Sequence, residues 1–156
     1  MKNLVLIFSL FFALSSQTID SEIPELNQKI IDFVNQHIGK KVGRGECWDL
    51  AQIPLEELGA TWDQQYVFGK KINIEKETVF PGDIIQFEKV VIQYTVGNKQ
   101  ITENFYHHTA IVYEVLEKGI YKIAQQNTEK GKKVTIDLLN TNNKKKGKMI
   151  FYRPQK

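Results

Sequence analysis

Apolar residues recur at helical spacing in two segments of the first sixty residues. Residues 25–38 carry them along one face, and Gly39 ends the run. A second helix is predicted over residues 47–58, with apolar side chains again three and four positions apart. Pro54 lies inside this second segment, where a proline removes one backbone hydrogen bond and should kink the helix. The sequence therefore predicts two helices near the N-terminus.

After Gly59 the pattern changes to the two-residue alternation of β-strands. The runs lie between turn residues such as Pro81-Gly82-Asp83, Gly97-Asn98 and Lys118-Gly119. The predicted strands cover about residues 84–96, 105–115, 121–126, 134–138 and 149–152. Two helices followed by about five or six antiparallel strands give an α+β order. We find no internal repeat and no linker, so residues 17–156 are predicted to form a single domain.

The first residues have the pattern of a secretory signal peptide. Lys2 supplies a positive charge, an apolar run covers Leu4 to Leu14, and Ala13-Leu14-Ser15 resembles a cleavage site. The run has 11 residues, whereas a membrane-spanning helix needs about 20. Residues 1–16 are therefore predicted to be cleaved, and the mature chain to be secreted without stable membrane insertion.

Composition narrows the classes of function. An apolar content of 42% and an aromatic content of 11% argue against disorder. The net charge is only +3, which gives no reason to expect nucleic acid as a partner. Late lysines cluster in two runs rich in Asn, Gly and Lys, which are typical of solvated hairpin tips. We expect a monomer without a cofactor.

Cys47 is the only cysteine, and it follows a loop that contains Gly43 and Gly45. At the predicted start of the second helix, unpaired backbone N–H groups and the helix dipole would favour a thiolate. An isolated cysteine is more often a small buried apolar residue. However, a single thiol in an exported protein is a liability unless it is buried or used. This favours a functional thiol.

Histidine is almost as rare, and two of the three histidines are adjacent. Strand alternation places His108 on one face and His107 on the other. Gln125 and Asn127 share a face of the next predicted strand, so His108 can meet either of them if the strands pair. An amide there would fix the tautomer and orientation of the ring. The histidine pair has no metal-ligand spacing, so no metal site is predicted.

Five segments in order resemble a known group, the papain-like NlpC and CHAP (cysteine, histidine-dependent amidohydrolase/peptidase) superfamily. The sequence is more similar to the cysteine-proteinase-fold domain found in some fungal actin-patch proteins and in stand-alone relatives. The segments are Gly45-Glu46-Cys47-Trp48-Asp49-Leu50-Ala51, Pro81-Gly82-Asp83, His107-His108-Thr109-Ala110, Gln126-Asn127 and Tyr152-Arg153-Pro154. The resemblance implies a papain-like fold over about residues 25–154.

The resemblance also implies site residues, with Cys47 as nucleophile and His108 as base. For the third position it favours Asn127 over Gln125, because an asparagine in this role recurs in thiol hydrolases. Bacterial relatives often have a glutamate or an asparagine there, and the absence of a carboxylate at either position is a departure.

Two functions are compatible with these residues. The first is a secreted thiol-dependent hydrolase of amide bonds, acting on a peptide or on the stem peptide of peptidoglycan. Cys47 would attack the carbonyl carbon, and its backbone N–H would help to stabilise the oxyanion. The alternative is a non-catalytic module that keeps the fold and binds a cell-wall or surface polymer through its lysine-rich hairpins.

Overall fold

The computed structural model describes residues 22–156. The predicted signal peptide, residues 1–16, lies outside the described residues. Two helices precede a six-stranded antiparallel sheet, which confirms the predicted α+β class. The elements are α1 (Glu25–His37), α2 (Asp49–Glu57), β1 (Lys70–Ile72), β2 (Ile84–Val96), β3 (Lys99–Glu117), β4 (Ile120–Gln125), β5 (Thr135–Asn140), a 3-10 turn (Thr141–Asn143) and β6 (Lys144–Arg153).

The strand order in the sheet is β1-β6-β2-β3-β4-β5. Strands β2 to β5 form the predicted meander, in which each strand pairs with its neighbour in the chain. The last strand, β6, returns to lie between β1 and β2. This arrangement buries β2 and β3 in the middle of the sheet, with the histidine pair on β3.

Both faces of the sheet are covered by apolar side chains, in two separate clusters. One cluster joins α1 and α2 to the sheet through residues such as Ile84 and Ile111, which are paired across β2 and β3. The second cluster lies on the opposite face and includes the adjacent pair Ile85 and Ala110. Side chains alternate between the faces along each strand, so the neighbours Ile84 and Ile85 belong to different clusters.

Several element boundaries differ from the predicted ones. The second helix begins at Asp49, so Cys47 lies two residues before it instead of in its first turn. Pro54 lies inside α2 with its side chain buried, and the helix continues to Glu57. The three-residue strand β1 was not predicted, because its pattern is too short to show alternation. None of the described helices has the length and apolar character needed to span a membrane.

A buried polar cluster ties α1 to the sheet and accounts for two of the sequence motifs. Asp83, at the start of β2, accepts hydrogen bonds from the Arg153 guanidinium at 2.8 and 3.1 Å and from Asn27 of α1 at 2.9 Å. Burial raises the pKa of Asp83, while the bonds from Arg153, Phe80 and Asn27 oppose that rise. The motifs Pro81-Gly82-Asp83 and Tyr152-Arg153-Pro154 therefore each supply one residue of a single buried ion pair.

Candidate active site

The loop that precedes Cys47 is shaped by two glycines with positive φ. Gly43 has φ of 56° and Gly45 has φ of 87°, a region that side-chain-bearing residues avoid. A Cβ at Gly45 would lie 2.9 Å from Cβ of Lys132, and one at Gly43 would lie 3.0 Å from Oδ2 of Asp49. These close contacts explain why the sequence has glycine at both positions.

Asp49 closes this loop from the start of α2. Its buried carboxylate accepts hydrogen bonds from the backbone N–H of Arg44 at 2.7 Å and of Glu46 at 3.2 Å. The Arg44 side chain adds an ion pair at 2.8 Å. Burial alone would raise the pKa of Asp49, but these bonds outweigh it and lower the pKa. The carboxylate therefore stays ionised and fixes the backbone that leads to Cys47.

Gln126 holds the same loop from the other side, just after β4. Its fully buried amide accepts a hydrogen bond from Val42 N–H at 3.1 Å. It also donates to the Val42 carbonyl at 3.0 Å and to the Glu46 carbonyl at 2.7 Å. Gln126 lies within a motif of the resemblance, but no local pattern indicates this positioning role.

Cys47 is partly exposed and lies in a tight turn that leads into α2. The turn is closed by a 3.1 Å hydrogen bond from Asp49 N–H to the Glu46 carbonyl. The thiol lies against the backbone of Thr109, the residue that follows His108 on β3. Burial raises the pKa of the Cys47 thiol, and hydrogen bonds from the backbone of Thr109 and Trp48 oppose this rise without cancelling it.

His108 is 7% exposed and packs against the rings of Phe87 and Phe105, which also contact each other. Its Nε2 lies 2.8 Å from Oε1 of Gln125 on β4. An amide oxygen can only accept, so Nε2 carries the proton and donates. Burial lowers the pKa of His108, which the bond to Gln125 opposes.

These two pKa directions correct the expectation of a resting thiolate. Burial disfavours both charged forms, because it raises the pKa of Cys47 and lowers that of His108. Burial therefore favours the neutral thiol of Cys47 and the neutral imidazole of His108.

The structure also corrects the preference for Asn127 as the partner of His108. β4 ends at Gln125, and Asn127 has φ of 60°, so strand alternation no longer applies to it. Its amide donates instead to Glu46 Oε2 at 2.7 Å, and Lys132 forms an ion pair with the other oxygen of Glu46 at 2.6 Å. Of the two candidate amides, it is Gln125 that contacts His108.

A carboxylate that sequence reasoning missed lies behind Gln125. Asp137 Oδ2, on β5, accepts a hydrogen bond from Gln125 Nε2 at 3.0 Å and another from Thr135 Oγ1 at 2.8 Å. Lys130 forms an ion pair with the other oxygen of Asp137. No local motif marks Asp137, because pairing of β4 with β5 brings it to Gln125.

His107 lies on the face opposite His108, as strand alternation predicts. Its Nδ1 is 2.9 Å from Oε1 of Glu88, and its ring packs edge-on against Tyr66 at 4.3 Å. In residues 22–156 no cluster of three or more His, Cys, Asp or Glu side chains could hold a metal ion.

Aromatic side chains pack together where Trp48, the residue after Cys47, contacts the loop that follows α2. The Trp48 indole donates to the Gln65 carbonyl at 2.5 Å and lies 5.7 Å from the Trp62 ring. Tyr66 follows Gln65 and is 42% exposed.

A papain-like cysteine-proteinase fold is the class of protein that this architecture defines, with a cysteine before the second helix and a histidine on the adjoining strand. Residues 13–156 match the AIM3/BBC1 cysteine proteinase-fold domain, and the chain belongs to this family. The match confirms the resemblance to the domain of actin-patch proteins. The matched region begins at residue 13, within the predicted signal peptide.

The other comparisons carry less information. None of the curated proteins matches the chain. One solved structure, "The crystal structure of Ly7917", is 17% identical with a TM-score of 0.48. The likeness covers 81% of this chain and 62% of that one, so this chain spans less than two thirds of that protein's length.

Proposed function

We propose that this domain is a secreted, thiol-dependent hydrolase of amide bonds, with a peptide or a peptidoglycan stem peptide as substrate. The observation that supports it is the hydrogen bond between His108 Nε2 and Gln125, which leaves Nδ1 as the basic nitrogen of the ring. The Cys47 thiol lies against the backbone of the very next residue, Thr109. Thiol catalysis needs a base with a fixed tautomer within reach of the thiol, and the contact of Cys47 with the backbone of Thr109 supports this placement.

The reaction would proceed in two stages. In the first, the Cys47 proton passes to Nδ1 of His108 as the sulfur bonds to the amide carbon, and the developing oxyanion is stabilised by the Cys47 backbone N–H. The C–N bond then breaks, and His108 returns the proton to the leaving amine. In the second stage, water attacks the thioester with His108 as base, which releases the acid and restores the thiol.

A neutral Cys47 thiol and a neutral His108 imidazole fit general-base catalysis, in which the thiol proton moves only as the sulfur attacks. Gln125 has a defined part in it, because its amide oxygen stabilises the imidazolium that forms during the transfer. Glu46 opposes an early loss of the thiol proton, since its negative charge also raises the pKa of Cys47.

Turnover on a panel of peptides and peptidoglycan fragments, measured for the wild type and for Cys47→Ala, tests the proposal. The substitution removes the nucleophile and little volume, so we expect a loss of activity of about 10⁴-fold or more with an unchanged fold. Secretion is tested separately by sequencing the N-terminus of exported protein, which should begin near residue 17.

The alternative remains a binding module that keeps the fold without turnover. One observation favours it, namely that burial favours the neutral, less nucleophilic form of Cys47. If the wild type cleaves nothing on the panel and binds one member as tightly as Cys47→Ala does, the binding module replaces the hydrolase.

A further inference from the structure

Two hydrogen bonds in series connect His108 to a carboxylate on the neighbouring strand. His108 Nε2 donates to Gln125 Oε1 at 2.8 Å, and Gln125 Nε2 donates to Asp137 Oδ2 at 3.0 Å. The Gln125 side chain that links them is 6% exposed, so water has little access to replace either bond. β4 carries no carboxylate next to His108, but the adjoining strand β5 supplies one in Asp137.

The direction of the Gln125 amide follows from Asp137. An amide can rotate by 180° and exchange its oxygen for its nitrogen, and its own shape does not select between the two orientations. An ionised carboxylate can only accept hydrogen bonds, so the NH₂ group of Gln125 must face Asp137. The amide oxygen is then the atom that faces His108.

The tautomer of His108 follows in turn. A neutral imidazole carries one proton, and an amide oxygen at 2.8 Å requires that proton on Nε2. Nδ1 is then bare and is the nitrogen that can receive a proton from a thiol. With the amide reversed, the NH₂ group of Gln125 would face Nε2, and the ring proton would move to Nδ1.

Asp137 has the partners it needs to stay ionised. Thr135 Oγ1 donates to it at 2.8 Å, Lys130 forms an ion pair with it, and its side chain is 19% exposed. Burial would raise the pKa of Asp137, but the hydrogen bonds from Gln125, Lys130 and Thr135 outweigh burial and lower it.

We propose that Asp137 is a positioning residue that sets the tautomer of His108 by orienting the Gln125 amide. The inference rests on the proposed function, because a bare Nδ1 matters for taking the thiol proton. Asp137 touches neither the thiol nor the imidazole and acts only through Gln125.

The ¹⁵N chemical shifts of the His108 ring at pH 8 in the purified protein test this proposal. In the wild type we expect the proton on Nε2. In Asp137→Asn the new side chain can present either an oxygen or an NH₂ group to Gln125, so a second population with the proton on Nδ1 should appear. Glu114→Gln is the matched control, since it neutralises an exposed carboxylate that pairs with Lys122 and should leave the wild-type tautomer unchanged.

A second readout is the rate at which iodoacetamide alkylates Cys47 at pH 7. We expect Asp137→Asn to lower this rate about 10-fold, because only the Nε2–H tautomer can take the thiol proton. Asp137→Glu keeps the charge and should retain part of the wild-type rate. If the role of Asp137 were only structural, Asp137→Asn would leave the tautomer of His108 unaltered.

A wild-type ring protonated on Nδ1 would overturn the proposal, even if no variant folds. So would an Asp137→Asn spectrum identical to that of the wild type. A fixed Nε2–H tautomer that depends on Asp137 in a protein that cleaves nothing would support this inference while rejecting the hydrolase function.

Discussion

Nε2 of His108 and Oε1 of Gln125 lie 2.8 Å apart across the open end of the β3–β4 pair. The regular register of these strands begins at Ile111 and Ala124, so the two polar side chains lie just beyond the last described ladder pair. The Cys47 thiol reaches the backbone of Thr109 at this same open end. The place where β3 and β4 separate is thus where the imidazole meets the amide and where the thiol contacts the backbone of β3.

The first prediction compares the two amides. Gln125→Ala should lower the rate of Cys47 alkylation at pH 7 about 10- to 100-fold, because His108 loses the acceptor that fixes its proton. Asn127→Gly is the matched control, since glycine tolerates the φ of 60° and the change removes only the bond to Glu46. A larger loss in Asn127→Gly than in Gln125→Ala would mean that Asn127 orients the base after all.

The second prediction concerns the pH dependence of stability. The pKa of His108 is lowered in the folded state mainly by burial, so below about pH 6.5 the unfolded chain binds more protons than the folded one. The contribution of His108 to stability is therefore present above about pH 6.5 and is lost as the pH falls through its folded pKa.

Urea unfolding at several values between pH 5 and pH 8 measures this effect in the wild type and in His108→Gln. The wild type should lose more stability on acidification than the variant does. Equal losses in both proteins would show that His108 is as easily protonated in the folded state as in the unfolded chain.

The third prediction concerns the buried ion pair between Asp83 and Arg153. Asp83→Ala leaves the guanidinium without its main partner at a site where the carboxylate is fully buried, so we expect a loss of about 3–5 kcal/mol in the free energy of unfolding. Glu114→Ala breaks an exposed ion pair with Lys122 and should cost about 1 kcal/mol or less. Similar losses for the two variants would show that the buried pair does not hold α1 and β6 to the sheet.

Most of the fold could be predicted from the sequence, because its elements are long and strongly periodic. The apolar stripe of α1 and the alternation along β2 and β3 each span ten or more residues. Pairing of β4 with β3 through the turn at Gly119 also agreed with the prediction. Only β1, with three residues, was too short to give a signal.

The candidate site was less predictable, because three of its features depend on where elements end and on contacts between distant residues. Alternation placed Gln125 and Asn127 on one face, but β4 ends between them and the backbone turns at Asn127. The thiolate expected at Cys47 is disfavoured because burial raises the pKa of the thiol, and the burial of one side chain depends on tertiary packing. Asp137 reaches the site through tertiary pairing, which no local pattern encodes.

The central claim is that Cys47 and His108 act as one nucleophilic site, and the rate of Cys47 alkylation by iodoacetamide at pH 7 tests it most directly. The wild type and His108→Gln should be compared, with mass spectrometry to confirm that Cys47 carries the label. We predict that the wild type reacts at least about 10-fold faster, because burial raises the pKa of the thiol and a neighbouring base that takes the proton offsets that effect. Equal rates in the two proteins would contradict the account.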